Sequence, residues 1–117
     1  MEKTIKIGDK DFKMSSSAYT QFKYKNDTGR SLMADLSAIQ DKYKELLEGN
    51  IDLEQLDELI DLILKIAFIM TNENDKNQAL TYEDFLKQID NYFVEMDWLN
   101  EVVELATSPF RRGIQTN

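Results

Sequence analysis

Twelve consecutive residues, 59–70, read Leu-Ile-Asp-Leu-Ile-Leu-Lys-Ile-Ala-Phe-Ile-Met, and Asp61 and Lys65 are the only charges among them. An ordinary surface helix carries one apolar stripe, whereas a run this apolar has to be covered on several sides. It falls short of the ~20 residues that span a bilayer. The run is therefore the buried centre of a small helical domain or half of an interface with another chain. The sequence leaves those two alternatives open.

The rest of the chain supplies the cover. Over residues 1–14, Ile5 and Ile7 alternate with lysines, Gly8-Asp9-Lys10-Asp11 carries turn chemistry, and Phe12 and Met14 resume the alternation. That pattern predicts a β-hairpin. Two strands alone are marginal, so the apolar face must pack on helices or pair at an edge. Asp9 and Asp11 read as turn residues rather than metal ligands.

Ser15, Ser16 and Ser17 offer N-caps to a helix over 18–28, with Tyr19 and Phe22 turned inward. Tyr24 lies off that face and reads as a part-exposed packing or contact residue. Gly29 suits a left-handed C-cap. Ser31 opens a second helix to residue 48, whose seam is Leu32, Leu36, Ile39, Tyr43 and Leu46, leaving Asp35, Lys42, Lys44 and Glu45 for solvent. Asp52 caps the third and longest helix, over 53–72, with Glu54, Asp57 and Glu58 near the positive end of its dipole. After a polar loop, Thr81 and Asp84 resemble a capping box for a helix over 82–94 that buries Phe85, Leu86, Ile89 and Phe93. Asp97 caps a fifth helix over 98–107, with Leu99, Val102, Val103 and Ala106 inward, and Ser108-Pro109 ends it. The expected fold is mostly α (α+β), a short N-terminal hairpin followed by about five helices. One domain covers 1–109, and 110–117 form a flexible tail.

Chemistry has few candidates. The chain has no histidine, which removes the commonest general base and the commonest zinc ligand. It has no cysteine, hence no disulfide or thiolate site, as suits a reducing cytosol. No basic-then-apolar leader opens it, so export by a cleaved signal is not expected. An EF-hand frame over 72–83 has a glutamate at its last position. It also puts Lys76 where a ligand belongs and Asn77 where the sharp turn needs glycine. Gly8, Gly29, Gly49 and Gly113 never fall at phosphate-loop spacing. The expectation is no enzyme, no cofactor and no metal.

Charge is divided along the chain. Residues 1–44 carry net +3 and residues 45–117 net −11, for −8 in all. An acidic C-terminal two-thirds argues against binding nucleic acid, which needs clustered basic side chains.

The segment 24–31, Tyr-Lys-Asn-Asp-Thr-Gly-Arg-Ser, follows the hairpin and a serine-rich helix start. An acidic helical remainder containing Tyr82-Glu83-Asp84-Phe85-Leu86 comes after it. This order resembles the small tail assembly chaperones of long-tailed phages and prophages of Gram-positive bacteria. There a Tyr-basic-x-x-aromatic-Gly-Arg segment follows the hairpin; Tyr24, Lys25, Gly29 and Arg30 match it, and Thr28 replaces the aromatic.

The resemblance implies a non-enzymatic factor in the cytoplasm of the infected or lysogenic host, absent from the mature virion. It would bind the tape measure protein, keep it soluble and help recruit tail tube subunits. It would also be able to form homo-oligomers and would engage neither nucleic acid nor membrane. The expected contact residues are Tyr24, Arg30, Leu59, Ile63, Ile66, Phe68 and Met70, meeting helical segments of the partner. The alternative is a small acidic regulatory or inhibitory protein that binds a basic partner.

Overall fold

Alternating apolar residues make the hairpin, and turn chemistry closes it. In the computed structural model, which describes residues 1–75, 80–90 and 96–114, β1 (Glu2–Ile7) pairs antiparallel with β2 (Lys10–Ser15). The register sets Ile5 against Phe12 and Ile7 against Lys10. Ile5, Ile7, Phe12 and Met14 are buried on one face, as the alternation predicts. Gly8 opens the turn at φ +65, a left-handed conformation that side chains resist. It is also pressed against the chain, since a Cβ there would lie 1.9 Å from the carbonyl oxygen of Asp90.

Five helices follow among the described residues: α1 (Ala18–Thr28), α2 (Leu32–Leu47), α3 (Leu53–Asn74), α4 (Tyr82–Lys87) and α5 (Asp97–Ile114). The first four begin where their caps were expected. Ser17, Ser31, Asp52 and Thr81 each accept a backbone N–H of the first turn. Asp52 and Gln55 cap each other reciprocally, as do Ser17 and Thr20.

The apolar run is the axis of the fold. The hairpin covers α3 through β2, and α1, α2, α4 and α5 pack around it. Leu59, Ile60, Ile63, Leu64, Ile66, Ala67, Ile69 and Met70 are all buried. Each of these side chains larger than alanine stabilises the fold by roughly 1.5–3 kcal/mol. Of the two alternatives for residues 59–70, internal core accounts for most of the run. Trp98, Leu99, Val102 and Val103 on α5 close the core, and β1 rests on the same helix.

Five boundaries differ from the sequence reading, two of them by one residue: α2 ends at Leu47, and α5 begins at Asp97, which lies in its first turn rather than capping it. Helix α3 runs to Asn74, two residues past the expected end. Helix α4 stops at Lys87, leaving Leu86 partly exposed and Ile89 half-buried after its end. Phe93 and Val94 lie outside the described residues, as do Lys76 and Asn77 of the EF-hand frame. Helix α5 continues through Pro109 to Ile114, so residues 110–114, expected in a flexible tail, are helical. Proline lacks the N–H that Leu105 would have accepted four residues back. The Ser108 hydroxyl replaces it, donating to the Leu105 carbonyl at 2.7 Å.

Candidate functional site

Helix α1 holds its place through polar contacts at both ends. At its start, the carboxylate of Glu73 on α3 accepts from Ser17 Oγ at 2.7 Å and from the Thr20 hydroxyl. At its end, Gly29 turns left-handed at φ +75, and its N–H donates to Lys25. The Thr28 hydroxyl donates to the Tyr24 carbonyl at 2.6 Å and accepts the Arg30 N–H at 3.1 Å. Thr28, where the resemblance expects an aromatic, thus finishes the helix and sets Arg30 beside it.

Arg30 then reaches α2. Its Nε and Nη2 donate to the two oxygens of Asp35 at 2.8 and 2.9 Å, a bidentate pair. Tyr24 completes the cluster, its hydroxyl donating to Asp35 at 2.5 Å. The Arg30 hydrogen bonds hold the Asp35 carboxyl below the ordinary carboxylate range. Burial, and then the Asp35 bond, pushes the Tyr24 hydroxyl well above its ordinary value.

This cluster corrects three expectations. Tyr24 is fully buried rather than part-exposed, and Asp35 is buried rather than solvated. Tyr19 and Phe22, expected inward, are exposed. Helix α1 therefore buries the Thr20 and Tyr24 face, which brings the phenol to Asp35. A carboxylate among Leu32, Leu36 and Ile39, on an otherwise apolar stripe, was the signal for that choice.

Among the seven expected contact residues, Leu59, Ile63, Ile66 and Met70 are interior, together with Tyr24. As folded here Leu59, Ile63, Ile66 and Met70 form no surface for a partner, because the hairpin and helices already cover them. Arg30 is exposed and Phe68 half-buried. These two meet, with an edge of Tyr24, in a cleft of about 320 Å³ on the outward side of α3. Leu62, Lys65 and Ile69 line it from α3, and Tyr82 from α4. The sequence singles out neither Leu62 nor Ile69 within the 59–70 run, and it does not point to Tyr82 as a site residue. The period of α3 could have singled out Leu62, which shares the face of Lys65 and Phe68.

Aromatic packing fixes the cleft wall. The Phe68 ring lies 5.3 Å from Tyr82, edge-on, and 5.7 Å from Phe85, which in turn lies 5.0 Å from Phe12 of the hairpin. Burial and the nearby Asp61 carboxylate push the Tyr82 hydroxyl up to about 12.

A second cleft, of about 290 Å³, continues beyond Tyr82 toward the start of α3. Ile60, Leu64, Leu86 and Ile89 give it an apolar lining, with Asp57 and Asp61 at its rim. Lys65 pairs with Asp61 at 3.2 Å, whereas Asp57 makes no ion pair among the described residues. The arrangement offers apolar shelter along one helix, bordered by charge. No group of His, Cys, Asp or Glu that could hold a metal occurs among the described residues. None of the described helices is long and apolar enough to cross a membrane. Comparison with protein-family models, with curated proteins and with solved structures found no match to this chain.

Proposed function

We propose that this chain is a non-enzymatic tail assembly chaperone of a long-tailed phage or prophage. It binds apolar stripes of the long helical tape measure protein, keeps that protein in solution and helps recruit tail tube subunits. It works in the host cytoplasm and is left out of the finished particle. The observation that carries this reading is the open cleft formed by Leu62, Phe68 and Tyr82 along α3. An amphipathic helix laid in such a cleft buries its apolar stripe against aliphatic and aromatic side chains. The net charge of −8 keeps the complex soluble. The sequence resemblance supports the identity of the client, and the match at Arg30 falls on the cleft lining.

The test is light scattering of the chain with a fragment of a long helical tape measure protein. The expected result is a soluble complex that survives high salt. Leu62→Glu should weaken it at least about tenfold, as for loss of a central apolar contact. An absence of binding, with the fragment aggregating as it does alone, overturns the reading.

A second reading rests on Glu54, Asp57 and Glu58 at the start of α3, which make no ion pairs among the described residues. An acidic regulator would use them to hold a basic protein, and its complex would dissociate as salt rises.

A further inference from the structure

Leu53 is 82% exposed, more than any other large apolar side chain among the described residues. A single exposed leucine is ordinary. This one continues a lining. Leu53, Ile60 and Leu64 stand seven and four residues apart, on one face of α3. Ile60 and Leu64 line the cleft of about 290 Å³ that Leu86 and Ile89 complete. From Leu53 to Leu64 this apolar strip runs roughly 17 Å, three turns of helix.

Charge beside the strip has one sign. Between Lys44 and Lys65 the chain carries seven carboxylates and no lysine or arginine. Lys65 pairs with Asp61 at 3.2 Å, but Glu54, Asp57 and Glu58 make no ion pair among the described residues. The dipole of α3 accounts for Glu54, in the first turn. Its influence falls off within that turn, so it does not account for Asp57 and Glu58. We infer that this face docks a helix of another protein, one that carries lysine or arginine along the borders of an apolar stripe. The stripe covers Leu53 and enters the cleft beside Leu86, and the flanking cations meet Glu54 and Asp57. The inference rests on the acidic-surface reading above and deepens it, because charge attraction alone gives Leu53 no part in the contact.

Fluorescence anisotropy of the full chain with a labelled peptide about five helical turns long tests it. The peptide sets leucines on one helix face and lysines on the other. One control exchanges lysine for glutamate, and a second keeps the composition but scatters the leucines around the helix. The amphipathic lysine peptide is expected to bind, less tightly as salt rises but still measurably at high salt. The scattered isomer should bind at least about tenfold more weakly, and the glutamate peptide not at all. Leu53→Ser should raise the dissociation constant about tenfold, as for an interface anchor. Asp57→Asn should raise it about threefold, as for a rim charge. Phe22→Ser, also exposed but on α1, should leave it unchanged. Unchanged thermal melting verifies that each variant folds. Affinity that falls with salt and with Asp57→Asn, but not with Leu53→Ser, overturns this inference and leaves the acidic-surface reading standing. Equal binding of the scattered isomer does the same. Failure of the lysine peptide to bind overturns both. Sedimentation in which the chain alone associates, and Leu53→Ser abolishes that association, gives the face to a second copy and overturns the proposal.

Discussion

The hydroxyl of Tyr24 on α1 donates to the carboxylate of Asp35 on α2 at 2.5 Å, and both side chains are buried. Arg30, on the turn between them, holds the other edge of that carboxylate. One buried charge thus joins two helices and the segment that connects them.

Removing either partner has unequal consequences. Tyr24→Phe leaves Asp35 paired with Arg30 and should cost about 1–2 kcal/mol. Asp35→Ala strands the Tyr24 hydroxyl in the interior and should cost about 2–3 kcal/mol. Because the two share one bond, the double variant should lose about 1 kcal/mol less than the sum. Urea denaturation of the four chains measures the cycle, and full additivity would show that the bond contributes nothing.

The same cluster sets the response to pH. Asp35 is held below its ordinary value of 3.8, chiefly by Arg30. Its contribution is therefore present above that value and lost as pH falls through the depressed one. Stability should drop on acidification below about pH 4, and less steeply in Asp35→Asn. Tyr24 and Tyr82 are raised above 10.0, so their contribution is present below that pH and lost as it climbs. Tyr82→Phe should flatten the decline between the ordinary value and about 12. Denaturation midpoints at successive pH values check both limbs.

Gly8 and Gly29 share a left-handed backbone but not a neighbourhood. A Cβ at Gly8 would strike the Asp90 carbonyl oxygen, whereas nothing lies within 4 Å of one at Gly29. Gly29→Ala should cost about 1 kcal/mol, the conformational term alone. Gly8→Ala adds the clash and should cost about 2–4 kcal/mol. Thermal melting separates the two, and equal losses would mean that the Asp90 segment moves aside freely.

Most of the framework was legible because it is encoded locally. Ser17, Ser31, Asp52 and Thr81 announce helix starts through side chains that bond their own first turns. Ile5, Ile7, Phe12 and Met14 announce a strand face through period two. The orientation of α1 was not legible in the same way, since aromatics occur on two of its faces. Tyr24 goes inward because Asp35, on another helix, provides an acceptor there. The cleft was only half legible: Arg30 and Phe68 were named, whereas Tyr82 joins them only through the return of the chain after α3. Residues 59–70 could not be divided between core and surface until the covering elements were in place. With them in place, Leu62 and Phe68 are the partly exposed apolar members of that run.

Pro109 reads as a helix end in the sequence because interior proline costs ~3 kcal/mol or more. Helix α5 absorbs it through Ser108, whose hydroxyl supplies a donor to the Leu105 carbonyl at 2.7 Å. The two residues should therefore be coupled. Ser108→Ala in the native chain leaves that carbonyl without its donor and should destabilise by about 1 kcal/mol. Pro109→Ala restores a backbone N–H to the same carbonyl and should stabilise by about 1–3 kcal/mol. In the Pro109→Ala chain the serine is redundant, and Ser108→Ala should then cost only a few tenths of a kcal/mol. Urea midpoints of the four chains read the coupling directly. If Ser108→Ala costs the same with and without proline, the hydroxyl is not what carries the helix past residue 109.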